Sequence, residues 1–203
     1  MNHWLWLVVI SVLPVLLPAY LGVIYGLCRR VDGLDPRAVI SRYFGVTYLP
    51  FAFGVAGLYV TQTGVPALDF RPAFVVAVPV GAGGYYLTTL VWRRYTGKPI
   101  RRGHRDLPVN LLGILAVVPE ELLFRAGLLP VLDWVGEIGY LAYSSVLFGC
   151  YHFNGGRHEV VSKTLLGVLL GGSYLAFGTI VVPVLIHLGY NLAWLLFVTG
   201  RFP

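Results

Sequence analysis

The chain has 203 residues, of which 57% are hydrophobic and only 12% are charged, and its formal net charge is +6. A soluble domain carries about 25% charged residues, so this composition excludes an ordinary soluble domain and predicts a protein with several membrane spans. The basic residues stand at the ends of apolar runs and form no basic face, which argues against a nucleic-acid partner.

Apolar runs in chain order predict seven membrane-spanning helices. The runs lie at about 4–28, 39–61, 73–92, 109–131, 138–153, 161–177 and 179–199. The first run has no basic segment before it and no cleavage site of small residues, so we expect a retained helix and not a signal peptide. Gly178 and Pro183 permit a tight turn and a new helix start between the last two runs. The predicted fold is an all-α, polytopic transmembrane bundle that forms a single integral-membrane domain, 1–203.

The basic residues predict the orientation of this bundle. When the loops are placed on alternating sides, twelve of the 15 basic residues fall on one side and Arg71 falls on the other, while Arg42 and Arg125 lie inside spans. The twelve are Arg29, Arg30, Arg37, Arg93, Arg94, Lys98, Arg101, Arg102, Arg105, Arg157, Lys163 and Arg201. By the positive-inside rule the richer side is cytoplasmic, which places the amino terminus outside and the carboxyl terminus in the cytoplasm.

The polar residues inside the spans are the ones that can carry chemistry. Each ionisable group costs on the order of 2.5 to 3.5 kcal/mol at the centre of a membrane helix, so it persists by pairing or by function. These residues are Glu120, Glu121 and Arg125 in the fourth span, His152 in the fifth, and His187 with Asn191 in the seventh.

Helix geometry separates the two adjacent glutamates of the fourth span. Glu121 and Arg125 are four residues apart, so they share a helix face and can form an ion pair. Glu120 points roughly 100° away from Glu121, which leaves one carboxylate without a local partner. An alternative is that all three residues hold helices together in the bilayer.

Two further helices carry polar residues at the same spacing of four. Phe148 and His152 can stack on one face of the fifth span, and His187 and Asn191 project together from the seventh. Each residue alone is also typical of the membrane interface or of hydrogen bonding between helices. Together with Glu120 they supply a base or acid, a proton partner and hydrogen-bond donors, which are the parts that a hydrolase needs. We expect their shared pocket to open towards the cytoplasm.

The three patterns, EExxxR at 120–125, FxxxH at 148–152 and HxxxN at 187–191, occur in this order on successive helices. In this respect the chain resembles the CPBP family of intramembrane proteases, which includes the type II CAAX prenyl endopeptidases and the bacteriocin-processing Abi proteins. The resemblance covers about residues 105–199. It implies variable amino-terminal helices at 1–108 and catalytic core helices at 109–199.

The resemblance also implies a role for each residue of the motifs. Glu120 acts with His152 to activate a water that attacks the scissile carbonyl, as in a glutamic peptidase. His187 and Asn191 stabilise the oxyanion. The supporting residues are Glu121, Arg125 and Phe148.

The resemblance implies metal-independent hydrolysis, with no cofactor. A zinc site is an alternative, since Glu, His and His can bind zinc and leave one position for water, although the sequence has no HExxH motif. The expected partners are the lipid bilayer and a membrane-associated protein or peptide. Prenylated CaaX proteins, leader peptides and carboxyl-terminal sorting signals all stay open as substrates.

The short loops favour a prokaryotic cell membrane as the location. A second class of function also stays open, namely a non-catalytic transporter or assembly partner in which the buried polar residues line a path or lock helices together.

Overall fold

A computed structural model of the chain describes residues 5, 8, 12, 22–97, 107–153 and 156–198. Over these residues the chain forms helices and no strand, which confirms the predicted all-α fold. Two stretches, Pro72–Thr96 and Arg157–Phe177, are long and apolar enough to cross a membrane, and Tyr48–Thr61 and Val181–Phe197 are shorter apolar helices. The number of seven spans therefore stays a prediction, and most of the first predicted span lies outside the described residues.

The described residues form the following elements in chain order. They are α1 (22–28), α2 (Pro36–Thr63), a 3-10 helix (Pro72–Val76), α3 (Ala77–Thr96), α4 (Leu107–Leu115), α5 (Val117–Glu121), a π-helical segment (Leu122–Ala126), α6 (Leu129–Tyr151), α7 (Arg157–Phe177) and α8 (Val181–Val198). Five of the twelve basic residues used to predict the orientation lie outside the described residues, namely Lys98, Arg101, Arg102, Arg105 and Arg201.

Two predicted boundaries between helices are seen in the structure. α7 ends at Phe177 because Gly178 adopts a left-handed conformation, with φ 64°, and its N–H bonds the carbonyl of Tyr174 at 2.9 Å. The chain also leaves helical geometry at Gly136, with φ 69° and ψ −178°, so that a kink divides α6 into two helical parts. This break lies inside the expected loop at 132–137, and the residues on either side of Gly136 are helical.

Small residues let the helices around the polar centre pack closely. A Cβ atom at Gly81 of α3 would overlap the carbonyl oxygen of Ile186, and one at Gly189 of α8 would overlap that of Val78. In the same way, Gly167 of α7 lies against the backbone of α6. Close approach at small residues is the usual means of association for membrane helices. It brings α3 against α8, which carries the third motif, and α7 against α6, which carries the second.

Candidate active site

The first motif lies where the helix geometry changes. α5 runs directly into the π-helical segment, which the N–H of Gly127 closes by a bond of 2.8 Å to the carbonyl of Leu122, five residues earlier. The hydroxyl of Tyr140 donates to the carbonyl of Arg125 at 2.8 Å and satisfies a backbone acceptor there. Single π-helical turns within helices often occur at functional sites, since they change the direction of the side chains that follow.

Glu121 lies at the centre of a fully buried network. Its Oε2 accepts from Nε of Arg125 at 3.0 Å, so the pair predicted from the spacing is present. Its Oε1 contacts Nδ1 of His187 at 2.7 Å, and all three side chains have no exposed area. Because a carboxylate oxygen can only accept here, we assign the proton of that bond to Nδ1. Glu121 therefore connects the first motif to α8.

Glu120 has different partners from its neighbour. Its Oε1 accepts a hydrogen bond from the hydroxyl of Tyr48, a residue of α2. Its Oε2 lies 3.8 Å from Nε2 of His187, which is too long for a hydrogen bond. In the part of the chain that the structure describes, this buried Nε2 has no hydrogen-bond partner. The structure thus brings Glu120 and His187 together, as the sequence predicted. Nε2 of His187 faces Glu120 and has no hydrogen bond among the described residues.

His152 caps the carboxyl end of α6. Its Nδ1 lies 2.8 Å from the carbonyl oxygen of Phe148 and therefore carries a proton, so in the neutral ring Nε2 is the basic nitrogen. The two rings stack edge to face at 4.8 Å, as the spacing of four predicts. Phe148 also packs against the ring of His187 at 5.4 Å. Among the described residues no hydrogen bond joins His152 to Glu120, and Phe148 is the contact that links the two histidines.

Asn191 lies one turn after His187 on α8, and both residues are buried. Its Nδ2 donates to the carbonyl of Gly113 at 2.9 Å, and its Oδ1 accepts from Nζ of Lys163 at 3.2 Å. The predicted pairing of His187 and Asn191 on one helix face is therefore seen. The two side chains contact different neighbours.

Two residues of this cluster were missed in the sequence. Lys163 was assigned to a cytoplasmic loop, and this was wrong, because it lies in α7 and is only 8% exposed. Its spacing to two buried glycines, Gly167 and Gly171, follows the helical repeat of four and could have placed it on the inner face of α7. Tyr48 gives no such signal, since a tyrosine in an apolar span is common.

The described residues contain no group of three or more His, Cys, Asp or Glu side chains that could hold a metal ion. The two imidazole nitrogens of His187 face different carboxylates, Glu121 and Glu120. The zinc alternative of one glutamate with two histidines stays a prediction.

Comparison with known proteins finds a family model that matches part of the chain. Residues 107–193, from α4 into α8, match the family model described as "Type II CAAX prenyl endopeptidase Rce1-like", and no curated protein and no solved structure matches the chain. This part of the chain is therefore similar to the Rce1-like type II CAAX prenyl endopeptidases, a membrane-integral family of proteases. The match includes all three motifs and confirms the resemblance. Tyr48 lies outside it.

Proposed function

We propose that the protein is an intramembrane endopeptidase that hydrolyses a peptide bond of a membrane-associated substrate. The observation that carries the proposal is the difference between the two glutamates. Glu121 is held by Arg125 and His187 and has no exposed area, whereas Glu120 contacts a neutral tyrosine hydroxyl and faces an unsatisfied imidazole nitrogen. A carboxylate without a cation at hydrogen-bond distance can act as a base on water.

In the proposed reaction, Glu120 removes a proton from a water molecule, and Nε2 of His152 assists as a second proton acceptor. The water oxygen bonds to the scissile carbonyl carbon, and the carbonyl oxygen becomes an oxyanion. Nε2–H of His187 and an amide N–H of Asn191 stabilise that oxyanion. The carbon–nitrogen bond then breaks, and the leaving amine takes up the proton that Glu120 removed from the water. Donors of this kind are worth about 3 to 4 kcal/mol each in comparable hydrolases.

We propose a CaaX-like carboxyl terminus as the substrate, because the name of the matching family states this class. Leader peptides and carboxyl-terminal sorting signals are the alternatives. We further propose that the site opens to the cytoplasm of a prokaryotic cell. The direction of opening is checked with single cysteines near His152, by testing from which side a membrane-impermeant thiol reagent reacts with them.

The test compares Glu120→Gln and His152→Ala with wild type. The control is Glu137→Gln, which removes an exposed carboxylate on α6. Purified proteins are assayed with a fluorescence-quenched peptide that ends in a prenylated CaaX sequence, and the membrane proteomes of the corresponding strains are compared for an accumulated precursor. We expect Glu120→Gln to abolish cleavage while it accumulates normally in the membrane.

Full cleavage by Glu120→Gln would refute the role of Glu120 as the base. No cleavage by the wild-type protein would refute the peptidase function and favour a non-catalytic role, in which the buried polar groups hold helices together. Cleavage of a leader peptide or sorting signal in place of the CaaX probe would change the substrate class but not the enzyme class. Metal dependence is tested in the same assay, since loss of activity with a chelator and recovery with zinc would favour the zinc alternative.

A further inference from the structure

Lys163 lies outside the three motifs, yet its ammonium group reaches the centre of the site. Nζ donates to Oδ1 of Asn191 at 3.2 Å and lies 4.6 Å from the centre of the Tyr190 ring. The residue is in the second turn of α7, and a lysine buried in a membrane helix is costly unless it has a partner or a function. Its position therefore needs an explanation beyond membrane topology.

The contacts of Lys163 differ from those of the other buried cation, Arg125. Arg125 forms an ion pair with Glu121, whereas no carboxylate lies within 4 Å of the Lys163 ammonium in the described ranges of the chain. Lys163 instead binds an amide oxygen and an aromatic face, both of which are neutral. A direct ion pair therefore does not explain its position, and what it holds directly is the Asn191 side chain.

The two contacts of Asn191 fix the orientation of its amide group. Lys163 can only donate, so it requires the amide oxygen, and the carbonyl of Gly113 can only accept, so it requires the amide nitrogen. A flipped amide would set two donors against each other at Lys163 and two acceptors against each other at Gly113. With the orientation fixed, one of the two N–H groups of Asn191 is used by Gly113 and the other keeps a defined direction.

We propose that Lys163 is a positioning residue that holds the amide of Asn191 in the orientation needed to donate to the oxyanion. This inference rests on the proposed peptidase function and deepens it. A charged donor suits the task because hydrogen bonds from an ammonium are about twice as strong as those between neutral groups. The face of Tyr190 adds a cation–π contact that keeps the ammonium in place.

The kinetic test compares Lys163→Met with Lys163→Arg, which retains charged donors, in cleavage of the prenylated CaaX peptide. Arg157→Met, at an exposed position of the same helix, is the control. We expect Lys163→Met to lower kcat by about 10- to 100-fold with KM within about two-fold, because loss of one oxyanion donor costs about 100- to 1000-fold. Lys163→Arg should recover most of that loss.

A double-mutant cycle with Asn191→Ala separates positioning from a direct or structural role. If Lys163 acts through Asn191, adding Lys163→Met to Asn191→Ala has no further effect on kcat. An equal loss in both backgrounds, or wild-type kcat for Lys163→Met, would overturn the inference.

A measurement that needs no activity covers the case in which the variants lose stability or the substrate class differs. The side-chain amide NMR signals of Asn191, assigned by their loss in Asn191→Ala, are expected to shift in Lys163→Met and to stay close to wild type in Arg157→Met. Unchanged signals in Lys163→Met would overturn the inference even in an active enzyme. Absence of cleavage by the wild-type protein, by contrast, refutes the peptidase function and leaves this result unaffected.

Discussion

Arg125→Met perturbs the most deeply buried charges of the site. The side chains of Arg125 and Glu121 both have no exposed area, and their 3.0 Å contact is the only one between Glu121 and a permanent cation in the described residues. Methionine retains much of the arginine's volume against Phe148, whose ring centre lies 4.9 Å from the guanidinium carbon. The substitution therefore removes mainly charge and hydrogen bonding, with little effect on packing.

The expected cost follows from leaving a carboxylate buried without its cation. Removing one partner of a buried ion pair typically costs about 3 to 5 kcal/mol of stability. Replacing both partners by uncharged groups often changes stability little. Glu121→Gln retains an oxygen that can accept from His187 at the position of the 2.7 Å contact. The double variant Glu121→Gln/Arg125→Met should thus be more stable than Arg125→Met by about 1 to 3 kcal/mol.

Reversible unfolding in bicelles measures these free energies, with far-UV circular dichroism as a check on helix content. The control is Arg71→Met, whose partner Asp69 is exposed, with side-chain exposures of 70% and 56% in that pair. An exposed pair contributes about 0 to 1 kcal/mol, so little loss is expected there. If the stability loss of the double variant equals the sum of the losses of the two single variants, the reasoning that Arg125 compensates the buried charge of Glu121 is refuted.

Two further predictions concern the surroundings of the site. Tyr48→Phe removes a hydrogen bond to the proposed base that is worth about 1 kcal/mol, so kcat/KM should fall about five-fold. The control Tyr95→Phe, at an exposed position, should match wild type. An equal fall of kcat/KM in both variants would contradict a specific role for Tyr48. Gly81→Ala should destabilise the contact between α3 and α8 by about 1 to 3 kcal/mol, because its Cβ overlaps a backbone carbonyl, and Gly83→Ala, which meets nothing within 4 Å, should not. Thermal unfolding in detergent compares the last two variants, and equal midpoints would show that this close packing is not required.

Contacts within one helix of the site could be predicted from the sequence, whereas contacts between helices could not. The contact of Glu121 with Arg125 and the stacking of Phe148 on His152 both follow from the spacing of four within one helix. Nothing local decides which glutamate His187 approaches, because that depends on how α8 packs against α5. Its short contact is with Glu121, which was expected only to support Arg125.

The same limit explains the missed lysine. Lys163 stands near the start of an apolar run, where a basic residue usually marks the end of a span, and the packing of α7 shows that it points inwards. The polar stretch at 132–137 predicted a break between two helices, and the chain breaks there at Gly136, while the residues on either side stay helical. Composition alone does not show how short that break is.

The two nitrogens of His187 explain how adjacent glutamates can have different roles. Neighbouring side chains on a helix point roughly 100° apart, and the imidazole spans that angle, with Nδ1 on Glu121 and Nε2 3.8 Å from Glu120. Since Nδ1 already carries a proton, the proposed donation from Nε2 to the oxyanion requires a doubly protonated ring. The two carboxylates beside that ring would balance its charge, and Arg125 would offset one of them. The proposed mechanism therefore needs Glu121 for the charge state of His187, as well as for the ion pair that the sequence predicted.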